Sequence, residues 1–290
     1  MRNPYLINEP TVISFSGGRT SAFMLWKVIE ANNGVPDDLV ITFANTGKEM
    51  PETLDFVRDC GENWGVNIIW LEYDGRSLKD GVLLEEAIAG HPSYDYRFKV
   101  TNFDTASRNG EPFIKVCEDM GGLPNPMSRW CSGQMKARTI RRYLDSIGMD
   151  SPVPTFIGLR GDEPRRAVKL HNKISDGQEL SCPLFVDGMT KTDVYNFWIN
   201  NEFDLQLPNN NGVTDWGNCD LCFLKGRSKK LSIIRERPDL AEWWKNIEQK
   251  HQDTFRRDDS TYSQMVDMAL NQYSLFEFDD DETVPCYCGE

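Results

Sequence analysis

Short apolar runs at Thr11 to Phe15, Leu39 to Ala44 and Val66 to Tyr73 have the length of buried strands, and stretches of helical spacing lie between them. The first such stretch, Thr20 to Ala31, repeats Phe23, Leu25, Trp26 and Val28 at near-helical intervals. The second, "MPETLDFVRDCGENWG", places Pro51 at a permitted first-turn position and Glu52 where the helix dipole favours an acid. A further apolar segment, "PTFIG", reads as a strand, and Thr190 with Asp193 in "MTKTDVYNFW" fits a capping box opening a helix. This alternation predicts an α/β fold, a doubly wound and mainly parallel sheet of Rossmann-like type with a smaller, mostly helical C-terminal region. The expected boundaries are an α/β domain over 1–185, a helical region over 186–275 and an acidic, mobile tail over 276–290. Ligands of such sheets sit beyond the carboxyl ends of the strands.

"VISFSGGRTSAFML" occupies that position after the first strand. There the start of a helix offers unpaired N–H groups to an anion. Gly17 and Gly18 let the main chain approach a phosphate without a Cβ in the way, and Ser16, Thr20 and Ser21 supply hydroxyls. The stretch has no Walker-type lysine, and its glycine spacing is not that of a dinucleotide fingerprint. A glycine turn with a Ser/Thr cap is the alternative reading of the same residues.

Charge narrows the function classes. The 45 Asp and Glu outnumber the 32 Lys and Arg, for a formal charge of -13, which disfavours indiscriminate adhesion to nucleic acid or anionic membranes. A local basic face remains open, from Lys136, Arg138, Arg141, Arg142, Lys225, Arg227, Lys229 and Lys230, with solvated helix faces as the alternative. No signal-like N-terminus or membrane-length apolar run is present, so a cytoplasmic protein without membrane attachment is expected. With 8 cysteines the chain is too sparse for a disulfide scaffold, and a reducing compartment leaves thiols or metal ligands. Only His91, His171 and His251 are available, which argues against a histidine-rich metal site or a His-dependent triad.

The ordered blocks carry a family resemblance. "SFSGGRTS" resembles the PP-loop, SGGxxS, of the adenine-nucleotide alpha-hydrolase superfamily, in its phosphoadenosine phosphosulfate (PAPS) reductase-like branch. "FANTGKEMPETLDFV", "SRWCSGQMKARTIRRYL", "GLRGDEPRR", "CPLFVDGMTKTDVYNFW" and "GNCDLCFLKG" resemble later blocks of that branch in the same order. The resemblance covers roughly residues 10 to 230. It implies binding of ATP or another adenine nucleotide, with Mg²⁺, by Ser14, Ser16, Gly17, Gly18, Arg19, Thr20, Ser21, Ala44, Asn45, Thr46, Gly158 and Arg160. Ala44, Asn45 and Thr46 would read adenine or ribose, although a plain strand-to-helix loop uses the same residue types. Arg160, Arg165 and Arg166 could clamp a phosphate or sulfate, or simply pair with Asp162 and Glu163. Ser16, Arg160 and Arg165 are the expected catalytic residues.

Cys219 and Cys222 form a C-x-x-C, Cys131 lies 88 residues before it, and Cys117 lies 14 before Cys131. A C-x-x-C suits either zinc or an iron–sulfur cluster. The resemblance favours [4Fe–4S], because related adenylylsulfate reductases hold a cluster with a Cys-Cys pair and a later C-x-x-C. This chain has one cysteine where those have two, and Cys117 is nominated as the fourth ligand with Cys131, Cys219 and Cys222. Cys60 and Cys182 read as buried small hydrophobes. Cys286 and Cys288 lie on the tail where PAPS reductases carry a nucleophilic thiol, but the flanking Glu and His of that motif are missing.

Three activities follow from the resemblance. One is an ATP pyrophosphatase or sulfurtransferase, a transferase that adenylates an acceptor such as tRNA, DNA or a small molecule. Many such enzymes have Asp where this chain has Thr20. The second is an oxidoreductase that forms sulfite from adenylylsulfate or PAPS with a thioredoxin-type reductant. The third is a nucleotide or redox sensor without turnover. The segment Tyr94 to Ile114 is expected to be a substrate lid or a surface excursion.

Overall fold

The computed structural model describes residues 3–79, 94–217 and 219–271. His91, Cys286 and Cys288 therefore lie outside the described residues, as does the whole of the expected tail. The chain begins with β1 (Thr11–Phe15), α1 (Arg19–Ala31), β2 (Leu39–Asn45), α2 (Pro51–Trp64), β3 (Ile68–Leu78) and β4 (Tyr94–Thr101). Next come α3 (Glu111–Met120), α4 (Trp130–Ser132), a π-helical stretch Gly133–Ala137, α5 (Arg138–Ser146) and β5 (Val153–Ile157). The chain continues through α6 (Pro164–Leu170), β6 (Lys173–Ser175), β7 (Gln178–Ser181), α7 (Pro183–Val186) and α8 (Lys191–Trp198). It closes with α9 (Arg227–Glu236), α10 (Leu240–His251) and α11 (Tyr262–Asn271).

The strands form one 7-stranded sheet in the order β4-β3-β2-β1-β5-β7-β6. The five central strands are parallel, whereas β4 and β6 add antiparallel edges. The fold is thus the expected α/β type with a mainly parallel sheet and a smaller helical region at the C-terminal end. Strand order reverses between β1 and β5, and the crevice beyond their carboxyl ends is the place where doubly wound sheets bind ligands.

Side-chain alternation buries both faces of the central strands. Ile13, Phe15, Ile41, Phe43, Ile68 and Trp70 enter the main core, while Val12, Ala44, Leu71 and Val153 pack below with Ile140 and Leu144 of α5. Phe113 of α3 meets Trp243, Trp244 and Phe255, so the C-terminal helices share the main core. Cys60 and Cys182 are buried small hydrophobes, as the sequence suggested.

The segment Tyr94 to Ile114 departs from the lid expectation. Its first part is the edge strand β4, paired to β3, and its last residues open α3. The alternation of Tyr94, Tyr96, Phe98 and Val100 with Asp95, Arg97, Lys99 and Thr101 is a period of two that announces a strand.

Glu248 of α10 has a testable role in the helical region. Its carboxylate accepts the Phe255 N–H at 3.3 Å and the Tyr262 N–H at 2.9 Å, tying α10 to α11. Burial nevertheless raises its pKa above the ordinary carboxylate value. The native state then holds a proton that the unfolded chain releases, so this group stabilises most below the ordinary value. That contribution falls as pH rises through the raised folded pKa. Glu248→Gln, which cannot ionise, is expected to reduce the stability lost between about pH 5 and about pH 7, measured as urea midpoints at the two pH values.

Candidate functional site

The turn after β1 is built for close approach. Gly17 has φ +79°, and a Cβ there would stand 2.8 Å from Thr53 Cγ2, 3.1 Å from Val57 and 3.2 Å from Phe43. Glycine is needed both for the backbone conformation and for contact with α2. The hydroxyls around it stiffen the turn: the Ser16 N–H and Ser16 Oγ donate to Ser21 Oγ at 3.2 and 2.9 Å, and Ser21 Oγ donates to Gly18 O at 3.0 Å. Ala22 makes the first intrahelical bond of α1, to Gly18 O. The preceding N–H groups belong to a helix start, where partial positive charge favours an anion. Ser14 lies one step back, on β1 between Thr42 and Ile157.

The segment after β5 forms the facing wall. A Cβ on Gly158 would lie 2.9 Å from Ser21 Cα, so Gly158 lets β5 close against the start of α1. Arg160 spans the crevice: its Nη1 donates to Thr20 Oγ1 at 3.0 Å, its Nε to Asp162 at 2.9 Å, and its Nη2 lies 3.4 Å from Glu163. Arg166 donates to the other Glu163 oxygen at 2.5 Å. The expected capping box is present, with Thr190 and Asp193 bonding reciprocally, and the Lys191 N–H donates to Asp162 at 3.1 Å. That cap sets Lys191 at the head of α8, beside the crevice.

One cavity gathers these groups: it is lined by Ser16, Gly17, Gly18, Arg19, Thr20, Arg160, Arg166 and Lys191, with Glu163 as its acid. Thr53, Val194, Leu205, Gly212, Val213, Thr214 and Gly217 complete the lining. Its lining carries four cations, three of them paired to carboxylates: Arg19 to Asp204, Arg160 to Asp162 and Glu163, and Arg166 to Glu163.

Several expected site residues lie elsewhere. Arg165 is exposed and does not line the cavity, whereas Arg166, one residue along α6, does. Ala44 packs beneath the sheet. The Asn45 amide donates to Glu72 at 2.6 Å and Ser107 O at 2.8 Å and accepts from the Gly47 N–H at 3.0 Å, so its hydrogen bonds are used internally. Thr46 Oγ1 faces Glu49 and lies 3.4 Å from Cys219 Sγ. The β2 turn is thereby clamped to the C-x-x-C loop. Thr53 and Lys191 lie within blocks of the family resemblance but were not singled out, and Thr214 lies outside every block, because each is remote in sequence from the glycine turn.

Each of the eight residues suspected of forming one basic face has a partner in the fold, several of them at the surface. Lys136 pairs with Glu49, Arg138 with Asp176, Arg141 with Asp145, Lys229 with Asp215, and Arg227 and Lys230 with Asp259. Arg142 stacks over Tyr96, and Lys225 Nζ donates to Asp215 O and Gly217 O.

A four-thiolate cluster needs its sulfurs around one point. Among the described residues no three or more His, Cys, Asp or Glu side chains form a group able to hold a metal ion. Cys117 lies in the main core on α3, where burial pushes its thiol up to about 12, with Glu118 adding to the effect. Cys219 is raised by burial and then by the Glu49 carboxylate. Cys131 and Cys222 are half-buried. Cys117, Cys131, Cys219 and Cys222 do not gather as such a group among the described residues. In the cavity the Glu163 carboxylate is paired to Arg160 and Arg166.

Comparison with known proteins decides the family. The phosphoadenosine phosphosulfate reductase domain matches residues 10–206. The chain belongs to the PAPS reductase domain family. The uncharacterized nin region protein ORF290 of Escherichia phage lambda is 30% identical over 218 residues, spanning 75% of this chain and 67% of that protein. An uncharacterized protein of Methanocaldococcus jannaschii is 23% identical over 252 residues, 85% of this chain but 43% of the relative. A crystal structure of PAPS reductase from Candida auris, in complex with phosphate, aligns with a TM-score of 0.38 at 15% identity, covering 68% of this chain and 76% of that one. Among the described residues of this family member, no helix is long and apolar enough to cross a membrane.

Proposed function

We propose that the protein binds an adenine nucleotide by its phosphates in the cavity at the strand-order reversal and cleaves ATP between the α- and β-phosphates. The observation that carries this reading is the convergence of the Gly17 turn, Arg160, Arg166 and Lys191 on one crevice. Membership of a sulfonucleotide-related family supplies the adenine nucleotide. In the reaction an acceptor's nucleophilic atom bonds to the α-phosphorus, the bond from that phosphorus to the bridging oxygen breaks, and the electron pair leaves with pyrophosphate. The N-terminal amides of α1 hold the phosphate chain, and Arg160, Arg166 and Lys191 offset the charge that grows on the leaving group. The Thr20–Arg160 hydrogen bond fixes the guanidinium across the cavity mouth.

A specific feature favours a second reading. Thr20 replaces the carboxylate of many ATP pyrophosphatases, and Glu163 is occupied by two arginines, so the cavity suits an anion recognised by cations and amides alone. That is the demand of a sulfonucleotide reductase. There a thiolate attacks the sulfonate sulfur and displaces the nucleotide, and a thioredoxin-type thiol then releases sulfite as a disulfide forms.

Product analysis separates the two readings. Pyrophosphate released from ATP supports the first, and sulfite released from PAPS or adenylylsulfate supports the second. Arg160→Gln is expected to lower kcat/KM by on the order of tenfold to a hundredfold, the value of a charge-assisted contact. Arg165→Gln, at an exposed side chain, is expected to stay within about twofold. Equal losses in the two variants would overturn the site.

A further inference from the structure

Cys219 and Cys222 stand at the two ends of one tight turn. The Cys222 N–H donates to Cys219 O at 3.3 Å, with Asp220 and Leu221 between them. A turn closed in this way holds its outer Cα atoms less than about 7 Å apart, and a disulfide needs a separation of about 4.4–6.8 Å. The two sulfurs differ in access: Cys219 is buried, with Sγ 3.4 Å from Thr46 Oγ1, whereas Cys222 is half-buried. They are also near enough for charge on Cys222 to act on the Cys219 thiol.

Both central residues of the turn are clamped. The Asp220 N–H donates to Lys48 O at 2.8 Å, and the Asp220 carboxylate accepts the Leu221 N–H at 2.6 Å and the Trp244 indole N–H at 2.7 Å. Leu221 O accepts the Tyr262 hydroxyl at 2.5 Å. At the ends, Cys219 forms a backbone bridge with Glu49, and Cys222 O accepts the Lys225 N–H at 2.9 Å. Contacts from the turn after β2, from α10 and from α11 thus hold four consecutive residues in a shape compatible with a ring through both sulfurs. The chain entropy that ring closure ordinarily costs has already been lost in folding.

We propose that Cys219 and Cys222 are a redox-active pair, a two-electron carrier that closes to a disulfide within the turn by exchange with a low-molecular-weight disulfide. The more accessible sulfur, the Cys222 thiolate, attacks one sulfur of that disulfide. A bond from Cys222 Sγ forms, the S–S bond of the small molecule breaks, and the first small thiol leaves with the electron pair. The Cys219 sulfur then attacks Cys222 Sγ, the mixed disulfide breaks, and the second small thiol leaves. The protons of the two cysteine thiols end on the two released thiols, so the protein gives up two electrons and the small disulfide gains them. A dithiol reductant reverses the sequence. The pair acts whatever anion the cavity takes, since neither sulfur lines it.

The test exposes the full chain to mixtures of reduced and oxidised glutathione, quenches with acid and an alkylating agent, and maps disulfides by peptide mass spectrometry. The folded protein is expected to form the Cys219–Cys222 link at a ratio of oxidised to reduced glutathione on the order of tenfold lower than the same chain in urea, where the clamps are gone. No link in the folded protein, a link formed no more readily than in urea, or Cys222 joined to a different cysteine overturns the proposal. Single substitutions read the order of attack. Cys219→Ser leaves no second sulfur to complete the exchange and is expected to keep glutathione on Cys222, while Cys222→Ser is expected to take up at least about tenfold less glutathione at the buried Cys219. Equal uptake by the two variants overturns the assignment of Cys222 as the entry thiol. The wild-type map needs no substitution, so it decides the matter even if a serine variant does not fold. Iron or zinc retained by the wild type and lost in Cys219→Ser would also overturn the proposal, by showing the sulfurs to be metal ligands.

Discussion

Gly17→Ala is expected to lower nucleotide affinity by more than about tenfold and to destabilise the fold by at least about 1–2 kcal/mol, the cost of forcing an L-residue into left-handed backbone. The φ of +79° is one cause, and the second is space, because the new methyl would sit 2.8 Å from Thr53 Cγ2. Thr53 belongs to α2, which packs on the main core through Leu54, Phe56 and Val57, so relief must come from the turn itself. The turn would shift and carry the N–H groups of α1 out of register with a bound phosphate. Thr53→Ser deletes the clashing methyl. The double variant is therefore expected to recover part of the stability, while the backbone cost persists. Urea denaturation of the single and double variants, with ATP titration of each, measures both effects. Wild-type affinity in Gly17→Ala would show that the turn does not contact the ligand.

Asp220→Ala is expected to produce the largest loss of stability, about 3–5 kcal/mol, because it strands a buried charge. Lys48 Nζ lies 2.8 Å from Asp220 Oδ2, and the two side chains are 8% and 4% exposed. The same carboxylate accepts the Trp244 indole N–H at 2.7 Å and the Leu221 N–H at 2.6 Å. The Asp220 N–H returns a bond to Lys48 O at 2.8 Å. One residue of the C-x-x-C loop thus joins the turn after β2 to helix α10. Asp220→Asn keeps an acceptor for Trp244 and is expected to lose less than the alanine variant. Lys48→Met in the Asp220→Ala background removes the stranded ammonium and should recover part of the loss. Chemical denaturation of the three variants checks the order, and full additivity of the two substitutions would refute the coupling.

The fold was largely legible in the sequence because its signals are local. Apolar runs mark β1, β2 and β3 to within a few residues, Pro51 marks the start of α2, and the Thr190/Asp193 pair marks α8. The glycine turn was legible for the same reason, since Gly17 obeys a backbone rule that holds wherever such a turn occurs. What the chain does with its polar side chains was harder to read. Asn45 and Thr46 have the composition of a binding loop, but their direction depends on Glu72, Ser107 and Cys219, all distant in sequence. The choice between Arg165 and Arg166 turns on the phase of α6, which no motif states. The cysteine spacing matches a cluster pattern, yet Cys117 belongs to the apolar side of α3 and serves the core.

The missing side chain at Gly158 has a consequence for how ligands of different length are admitted. With β5 seated directly on the Ser21 backbone, the crevice has a floor of set width that neither flank can widen without breaking van der Waals contact. The opposite rim, the stretch from Leu205 to Gly217, holds no helix or strand longer than the isolated Asn210–Val213 bridge, and Leu205, Leu207 and Trp216 anchor its ends in the main core, which leaves adjustment to the residues between. The protein would measure its guests with a rigid jaw and an adaptable one, and changes in guest preference should map to the adaptable side.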